Sequence, residues 1–471
     1  IEPMIETLLF LPVILAVLAL VMRNRTLNII MTSAYAAVFM AVTVGLYRSP
    51  ARFTPYFRVD DLNILFLLVL AAVFCGVAVF NIDYLRKNEA PAKSHALFTA
   101  NLLIFIASMT GVILSTHLAL MWVFIEATTL SSSYLIYFSH SDASLEATWK
   151  YLFICSIGIA IAFAGMIILS MGLNHSDSLF FDDLYAGAKN ISPFWLKLSF
   201  PIMLAGFGTK VGFAPMHAWL PDAHSESPSP VSALLSGTLL NAALMGIVRV
   251  NRLMTLAGMK WYAENLLLAI GFISIFVSAV YIISIKNYKR MLAYSSIENM
   301  GIIAICLGVG GAGMFAAMLH LAAHSITKAA FFLTSGNILH RFRSKNIDDV
   351  RGLLRSDPAT GWLWMLCFAG IVGIPPFPIF LSEFLAARSM IDTGMIAQLI
   401  LFLLLLTINM AGIGKAVLRM SFGAAVEAPG EARGGLFSYL PQWVFVALLL
   451  VMGVSLPGFV EELLHKAAAM L

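Results

Sequence analysis

Charge is scarce in this chain. Of 471 residues only 11% are charged, against 60% hydrophobic, whereas about a quarter of an ordinary soluble domain is charged. A soluble fold is excluded on that ground. The formal net charge of +4 is too small for the basic footprint of a nucleic-acid binder. Cysteine is nearly absent. Cys75, Cys155, Cys306 and Cys367 stand alone inside apolar stretches, so they form no metal-ligand or iron–sulfur cluster and read as small core residues. A glycine-rich phosphate loop and a dinucleotide fingerprint are also missing. No cofactor, metal site or catalytic centre of the chain's own is expected. The longest polar stretches, about 173–194, 340–358 and 421–438, are loop-sized.

What the chain has is apolar runs of membrane-spanning length, which takes about 20 residues in a helix. Fourteen are present, at about 5–22, 28–46, 62–81, 97–114, 117–138, 150–172, 195–220, 229–250, 264–284, 292–310, 313–338, 360–387, 396–420 and 439–457. None alternates in polarity as a barrel strand would. The expected fold is therefore an all-α polytopic membrane protein, a single integral membrane domain over residues 1–471. The first run lacks a cleavage-site pattern and reads as the first helix. Alternate loops hold most of the basic residues: Arg23, Arg25, Arg86, Lys87, Lys93, Lys286, Lys289, Arg290, Arg341, Arg343, Lys345, Arg351, Arg355, Lys415, Arg419 and Arg433. The other side collects fewer, among them Arg48, Arg52, Arg58, Lys189 and Arg252. The positive-inside rule makes the richer side cytoplasmic, and an even number of spans then puts both termini outside.

Two runs are broken by Gly/Pro segments beside a charge, GFGTKVGFAPMHAWLP at 206–221 and GIVGIPPFPIFLSEF at 370–384. Proline removes a backbone donor and opens the helix. The breaks fall in the seventh and twelfth runs, and an odd offset reverses direction. Two inverted five-helix repeats follow, helices four to eight (97–250) and nine to thirteen (264–420), with helices one to three before them (1–96) and helix fourteen with a tail after them (439–471). Paired broken helices at matched positions point to a transport site near the midplane.

Ionisable residues inside a membrane are costly and normally face protein or water and serve function. Glu126 lies in the fifth run, Lys210 just before the first break and Glu383 just after the second; Glu298, near the start of the tenth, is alone within snorkelling reach of an end. In MLHLAAHSITKAAFF, His320, His324 and Lys328 recur every four residues, so they share one helix face. Groups of this kind titrate near neutrality once histidine is present and lysine is desolvated, and bridged by water they can pass protons. His217 lies inside the first break and can line water. His224, with Asp222 and Glu226, falls in the following polar loop and reads as solvated. IKNYKR at 285–290 reads as a basic anchor.

The segments PMHAWLPDAHSESPSPVSALLSG, KRMLAYSSIENMG, HLAAHSITKAAFFLTSGNI and GIPPFPIFLSEF together resemble the antiporter-like, proton-translocating membrane subunits of respiratory complex I, Mrp cation/proton antiporters and membrane-bound hydrogenases. The resemblance covers roughly 60–420. Within that family it is nearest to the component F branch of hydrogenase-4 and formate hydrogenlyase-type complexes, as SSIE, HSITK and DDVRGLL suggest. It implies an ion pair between Glu126 and Lys210 whose opening gates proton movement, a relay through His320, His324 and Lys328, and an exit at Glu383. It implies a non-redox, ion-translocating subunit of a larger hydrogenase or NADH:quinone oxidoreductase type complex, in a prokaryotic cytoplasmic membrane, with other membrane and peripheral subunits as partners and protons as cargo. The alternative is an Mrp-type sodium/proton antiporter subunit. The chain departs from the family pattern at Asn241, where many members carry a lysine, and at Asn287, where aspartate is usual. It also ends soon after the fourteenth run, unlike the most distal complex I subunit, which carries a long lateral helix. Asn241 can hold water but cannot carry the proton; water, Ser232, Ser236 or His217 would then bridge the centre.

Overall fold

The computed structural model describes residues 2–48, 52–173, 178–426, 429–430 and 434–471. Arg433, counted above among the basic residues, lies outside them. In a bilayer every backbone polar group must be satisfied within the chain, which leaves the helix as the form for each apolar run. The helices are α1 (Glu2–Met22), α2 (Arg25–Tyr47), α3 (Asp61–Lys87), α4 (Ala92–Leu114), α5 (Leu118–Ile136) and α6 (Asp142–Met171). The seventh run is split into α7a (Pro193–Val211) and α7b (Trp219–Glu226). The helices α8 (Ser229–Leu256), α9 (Lys260–Ile282), α10 (Tyr288–Val309) and α11 (Ala312–Phe342) follow. The twelfth run is split into α12a (Pro358–Ile371) and α12b (Pro378–Asp392), and α13 (Ile396–Ser421), α14 (Leu440–Val454) and α15 (Gly458–Ala469) complete the chain. The one sheet among the described residues is a two-stranded hairpin, Arg52–Phe53 against Arg58–Val59.

Each expected run is thus helical; the seventh and twelfth are split at their Gly/Pro breaks, and the fourteenth is too short to span unbroken. Both breaks hold a left-handed glycine, Gly212 (φ 86°) or Gly373 (φ 66°), and a cis X–Pro bond, Ala214–Pro215 or Pro375–Pro376. Among the described residues eleven helices are long and apolar enough to cross a membrane, or twelve when the pair α14 and α15, bent by 78°, is counted as one span. That bend refines the expected last helix and tail: α14 stops at Val454, Pro457 precedes a new helix, and α15 buries Leu463, Leu464 and Ala467 against the bundle.

The centre belongs to α8 and α11, whose most apolar stretches are wholly buried, and to α10, buried over 94% of its stretch. The polar residues of these three helices therefore face protein. Close helix approach is set by small residues. Gly271 on α9 and Gly301 on α10 face each other so tightly that an added Cβ would meet the opposite carbonyl at 2.7 or 2.9 Å, which holds these two outer and inner helices together.

The two ends differ in charge. At the basic end, Asp222 pairs with Lys150 at 3.0 Å and with Arg290, Glu226 pairs with Lys345 at 2.8 Å, and Asp348 pairs with Arg419 at 2.7 Å. Burial alone would raise the Glu226 carboxyl; the Lys345 ammonium and the Ser225 hydroxyl outweigh it, so its pKa lies below the ordinary value. At the opposite end Arg249 on α8 donates to Asp60 at 2.8 Å and to Asn63, all nearly buried. The two chain ends share this second end, with Met4 packed beside Gly45 and α15 against α3.

Two loop expectations are corrected here. His224 is not solvated: it lies on α7b, fully buried, with its ring stacked on Phe332 of α11 at 4.7 Å. Lys289 is not a surface anchor: it is fully buried in the first turn of α10, and its Nζ donates to Ser227 O at 2.6 Å. α7b folds back over α10, which covers Lys289 and turns His224, on α7b itself, inward.

Removing one partner of a buried ion pair costs about 3–5 kcal/mol because the other charge is stranded. Arg249→Met is therefore expected to lower the thermal midpoint of the detergent-solubilised protein sharply, and Arg249→Met with Asp60→Asn to recover part of the loss. For Glu226 the lowered pKa means that its pair stabilises fully above about pH 4.3, the unfolded value, and is lost as pH falls through the folded pKa. Glu226→Gln should narrow the drop in midpoint between pH 7 and pH 4, by the ~1 kcal/mol or less of a part-exposed pair.

Candidate functional site

The ionisable residues gather in two clusters, one in each half, and each cluster joins three helices in the same order. In the first half the lysine just ahead of the break reaches back across α6 to α5. Lys210 is fully buried, and its Nζ donates to Tyr151 OH on α6 at 2.6 Å and to Thr129 Oγ1 on α5 at 2.8 Å. The ammonium also lies 4.5 Å from the Tyr151 ring centroid. Thr129 Oγ1 stands 3.5 Å from Glu126 Oε2, one turn away, and Glu126 Oε1 accepts from Ser156 Oγ on α6 at 2.8 Å. Ser132 completes the cluster against Tyr151 OH at 2.6 Å.

The direct ion pair implied between Glu126 and Lys210 is thus replaced by a bridge through the Thr129 hydroxyl. That hydroxyl accepts from the ammonium, and its one proton has two acceptors in reach, Ile125 O at 3.4 Å and Glu126 Oε2 at 3.5 Å, so it stands between the two charges and holds them apart. Glu126 is half-buried, at the outer edge of α5 and α6, whereas Lys210 is sealed inside.

In the second half the histidine face of α11 sits between α10 and α12b. His320 Nε2 meets Asn299 Oδ1 of α10 at 3.0 Å, and His320 Nδ1 meets Ser382 Oγ of α12b at 2.9 Å. Asn299 Nδ2 donates to Ser295 O at 2.6 Å, so its oxygen faces the ring and Nε2 must carry a proton. Ser382 Oγ also reaches Ile379 O at 2.8 Å. Its single proton serves the ring when Nδ1 is bare and Ile379 when Nδ1 is protonated. Both ring states are accommodated with the heavy atoms in place. Lys328, two turns along α11, donates from Nζ to Leu292 O at 2.7 Å and to Ser295 Oγ on α10. Between them His324 is fully buried with neither ring nitrogen bonded to protein, which calls for internal water.

Glu383, next to Ser382, lies against Gly373, where the break leaves no room for a Cβ. Glu298, within reach of a helix end by its sequence position, is central in the fold. It is 6% exposed, and it interacts electrostatically with both Lys328 and Glu383. Ser295, Glu298 and Asn299 follow the i, i+3, i+4 spacing of one helix face, the face that meets α11. A signal for it was present in the sequence: the fifth and tenth runs are repeat mates, and each carries one carboxylate. No sequence signal marked Tyr151, Thr129, Ser295 or Ser382, which are ordinary hydroxyls until their partners are known.

Asn241 on α8 lies against the second cluster. Its Nδ2 donates to Ser325 Oγ at 2.6 Å and to Gly237 O at 3.0 Å, while its Oδ1 is buried without a protein partner. Ser325 is the neighbour of His324. The π turn Leu235–Leu239 in α8 brings Gly237 and Asn241 to this position. Ser236 pairs with Ser296 at 2.8 Å and Ser232 with Ser227 at 2.7 Å. His217 is not brought to either cluster: it lies half-exposed in the break, its ring 6.1 Å from Tyr294.

Three comparisons bear on this arrangement. The family described as NADH:quinone oxidoreductase/Mrp antiporter, TM, matches residues 115–409. The hydrogenase-4 component F homolog of Methylacidiphilum infernorum (isolate V4) is 35% identical over 430 residues, 88% of this chain and 89% of that protein. The Na(+)/H(+) antiporter subunit A1 of Staphylococcus haemolyticus (strain JCSC1435) is 32% identical over 352 residues, 71% of this chain and 42% of that protein; the chain spans less than half of that subunit. A chain of the membrane-bound sulfane sulfur reductase, an archaeal respiratory membrane complex, has the same fold, with a TM-score of 0.89 at 22% identity over 99% of this chain and 97% of that one.

Thr129→Val keeps the shape and removes the bridging hydroxyl. It leaves the Lys210 ammonium one acceptor short in an apolar site, a loss of about 1–3 kcal/mol. The thermal midpoint should fall accordingly, and Thr129→Ser should restore it.

Proposed function

The chain belongs to the NADH:quinone oxidoreductase/Mrp antiporter transmembrane family, and on that footing we propose that it moves protons as a non-redox membrane subunit of a redox-driven complex of the membrane-bound hydrogenase or complex I type. The observation that carries this reading is the repeated three-helix cluster, in which each half holds a buried base or acid on hydroxyl and amide partners that serve more than one protonation state. Glu126, at the outer edge of its half, takes the first proton. Lys210 answers it through Thr129. When Glu126 is neutralised, the Lys210 ammonium loses its counter-charge, and a stranded buried charge costs about 3–5 kcal/mol. That cost drives a proton off Lys210 toward the centre. There Asn241 and Ser325 orient water, and His324, Lys328, His320 and Glu298 receive the proton and pass it to Glu383. Electron transfer in partner subunits would supply the energy by shifting the first step.

The basic end would face the cytoplasm of a prokaryotic cell and both termini the outer side, as the positive-inside rule requires. Partner subunits of a hydrogenase or complex I-like assembly would cover part of the outer faces. A second reading, sodium/proton antiport, is favoured by the likeness to a Na(+)/H(+) antiporter subunit and by the two hydroxyl oxygens, of Thr129 and Ser156, beside the Glu126 carboxylate.

The test is ion movement in vesicles holding the native complex. Lys210→Ala and Glu126→Gln should each abolish a sodium-independent proton gradient while the complex still assembles. Full pumping in both variants would defeat the proposal, and a gradient that requires sodium would establish antiport instead.

A further inference from the structure

One buried group has no place in the chain just described. His224 is fully buried on α7b, and neither of its ring nitrogens has a protein partner. A buried imidazole must carry at least one N–H, and a buried donor left without an acceptor is destabilising. Its surroundings explain what it faces. The ring lies flat on Phe332, one turn beyond Lys328 on α11, and it interacts electrostatically with both Lys289 and Lys328. Lys289 and Leu292 are one turn apart on α10, and Leu292 O is the acceptor of Lys328 Nζ. Lys289, His224 and Lys328 therefore form a short line where α7b, α10 and α11 meet.

The line begins at open space. A cavity of about 440 Å³ at the basic end is lined by Lys289, Glu226, Lys345, Ser227, His140 and Tyr84, among others. The Lys289 ammonium is at its inner wall, held on Ser227 O, and the Glu226–Lys345 pair is at its rim. Ser232 Oγ, bonded to Ser227 Oγ and to His224 O at 3.2 Å, fixes the backbone between the cavity and the ring.

We infer that this cavity is the mouth through which protons from the basic side enter the second-half chain, and that Lys289 and His224 carry them to Lys328. The inference rests on the proton-moving reading above. Each step is a proton exchange with water as the co-reactant. The Lys289 ammonium gives a proton to water. That water protonates one nitrogen of His224, and the imidazolium releases the proton on its other nitrogen to a second water, which delivers it to neutral Lys328. The ring returns neutral as the other tautomer and is reset by proton exchange through water joining its two nitrogens. Lys289 regains its proton from the basic-side solvent through cavity water, so the net result is one positive charge moved from that solvent to Lys328, which must pass it on before the next turn. The pairing of Glu226 with Lys345 keeps a neutral rim that neither repels nor traps the incoming charge.

Two variants of the native complex in vesicles test this. His224→Phe keeps the stack on Phe332 and removes both nitrogens; His224→Ala leaves a space that opens toward the cavity. Both are expected to assemble in wild-type amount and to move protons at least tenfold more slowly. Added imidazole should restore His224→Ala at least severalfold and leave His224→Phe unchanged. Wild-type proton movement in His224→Phe, or loss in His224→Ala that imidazole does not relieve, overturns the relay. Lys210→Ala in the same assay keeps the two readings apart. If it too pumps normally, the proton-moving function itself fails; if it is dead while His224→Phe is normal, only this entry route fails.

Discussion

The structure depends on how an ammonium can be kept in an apolar bundle. Lys210 cannot reach water, and isolated it would be intolerable there. Two hydroxyls on two different helices hold it, and one of them faces a carboxylate a turn away. Because the acceptors come from α5 and α6, the charge fixes the relative positions of three helices. Because they are neutral hydroxyls, the charge is held without being cancelled.

The second half solves the same problem with different chemistry. His320 touches α10 and α12b as Lys210 touches α5 and α6. The broken helix supplies a partner in both cases, since the break turns the chain and stops the helix near the depth where the buried group sits. In the first half the broken helix contributes the charge, and in the second it contributes the hydroxyl of Ser382 and the carboxylate of Glu383. The acids on the fifth and tenth runs, Glu126 and Glu298, differ in exposure. One lies at the lateral edge, where a neighbouring subunit or lipid would meet it, and the other is enclosed. The two halves are alike in architecture and unlike in access.

Asn241 is the neutral polar residue of the buried helix α8. Its amide nitrogen is pinned by Ser325 and Gly237, while its oxygen, like both ring nitrogens of His324, is buried without a protein partner. Buried polar atoms of this kind are normally satisfied by ordered water.

By itself the sequence determined the helical class, the fourteen runs, the two breaks, and the membrane placement of Glu126, Lys210, His320, His324, Lys328 and Glu383. Those features are local: apolar length, proline, and a four-residue spacing are readable without knowing any neighbour. The membership of Glu298 was half-readable, through the repeat that pairs it with Glu126. What only the tertiary structure decided concerns contact and cover. It placed a threonine between Glu126 and Lys210, brought serine and asparagine to His320, and left His217 at the edge. It also buried Lys289 beneath α7b and turned His224 of α7b inward onto Phe332, although both stand in segments polar enough to pass for loops. Burial of a polar segment depends on what folds over it, and the covering helix and the covered one are separated in sequence by more than sixty residues.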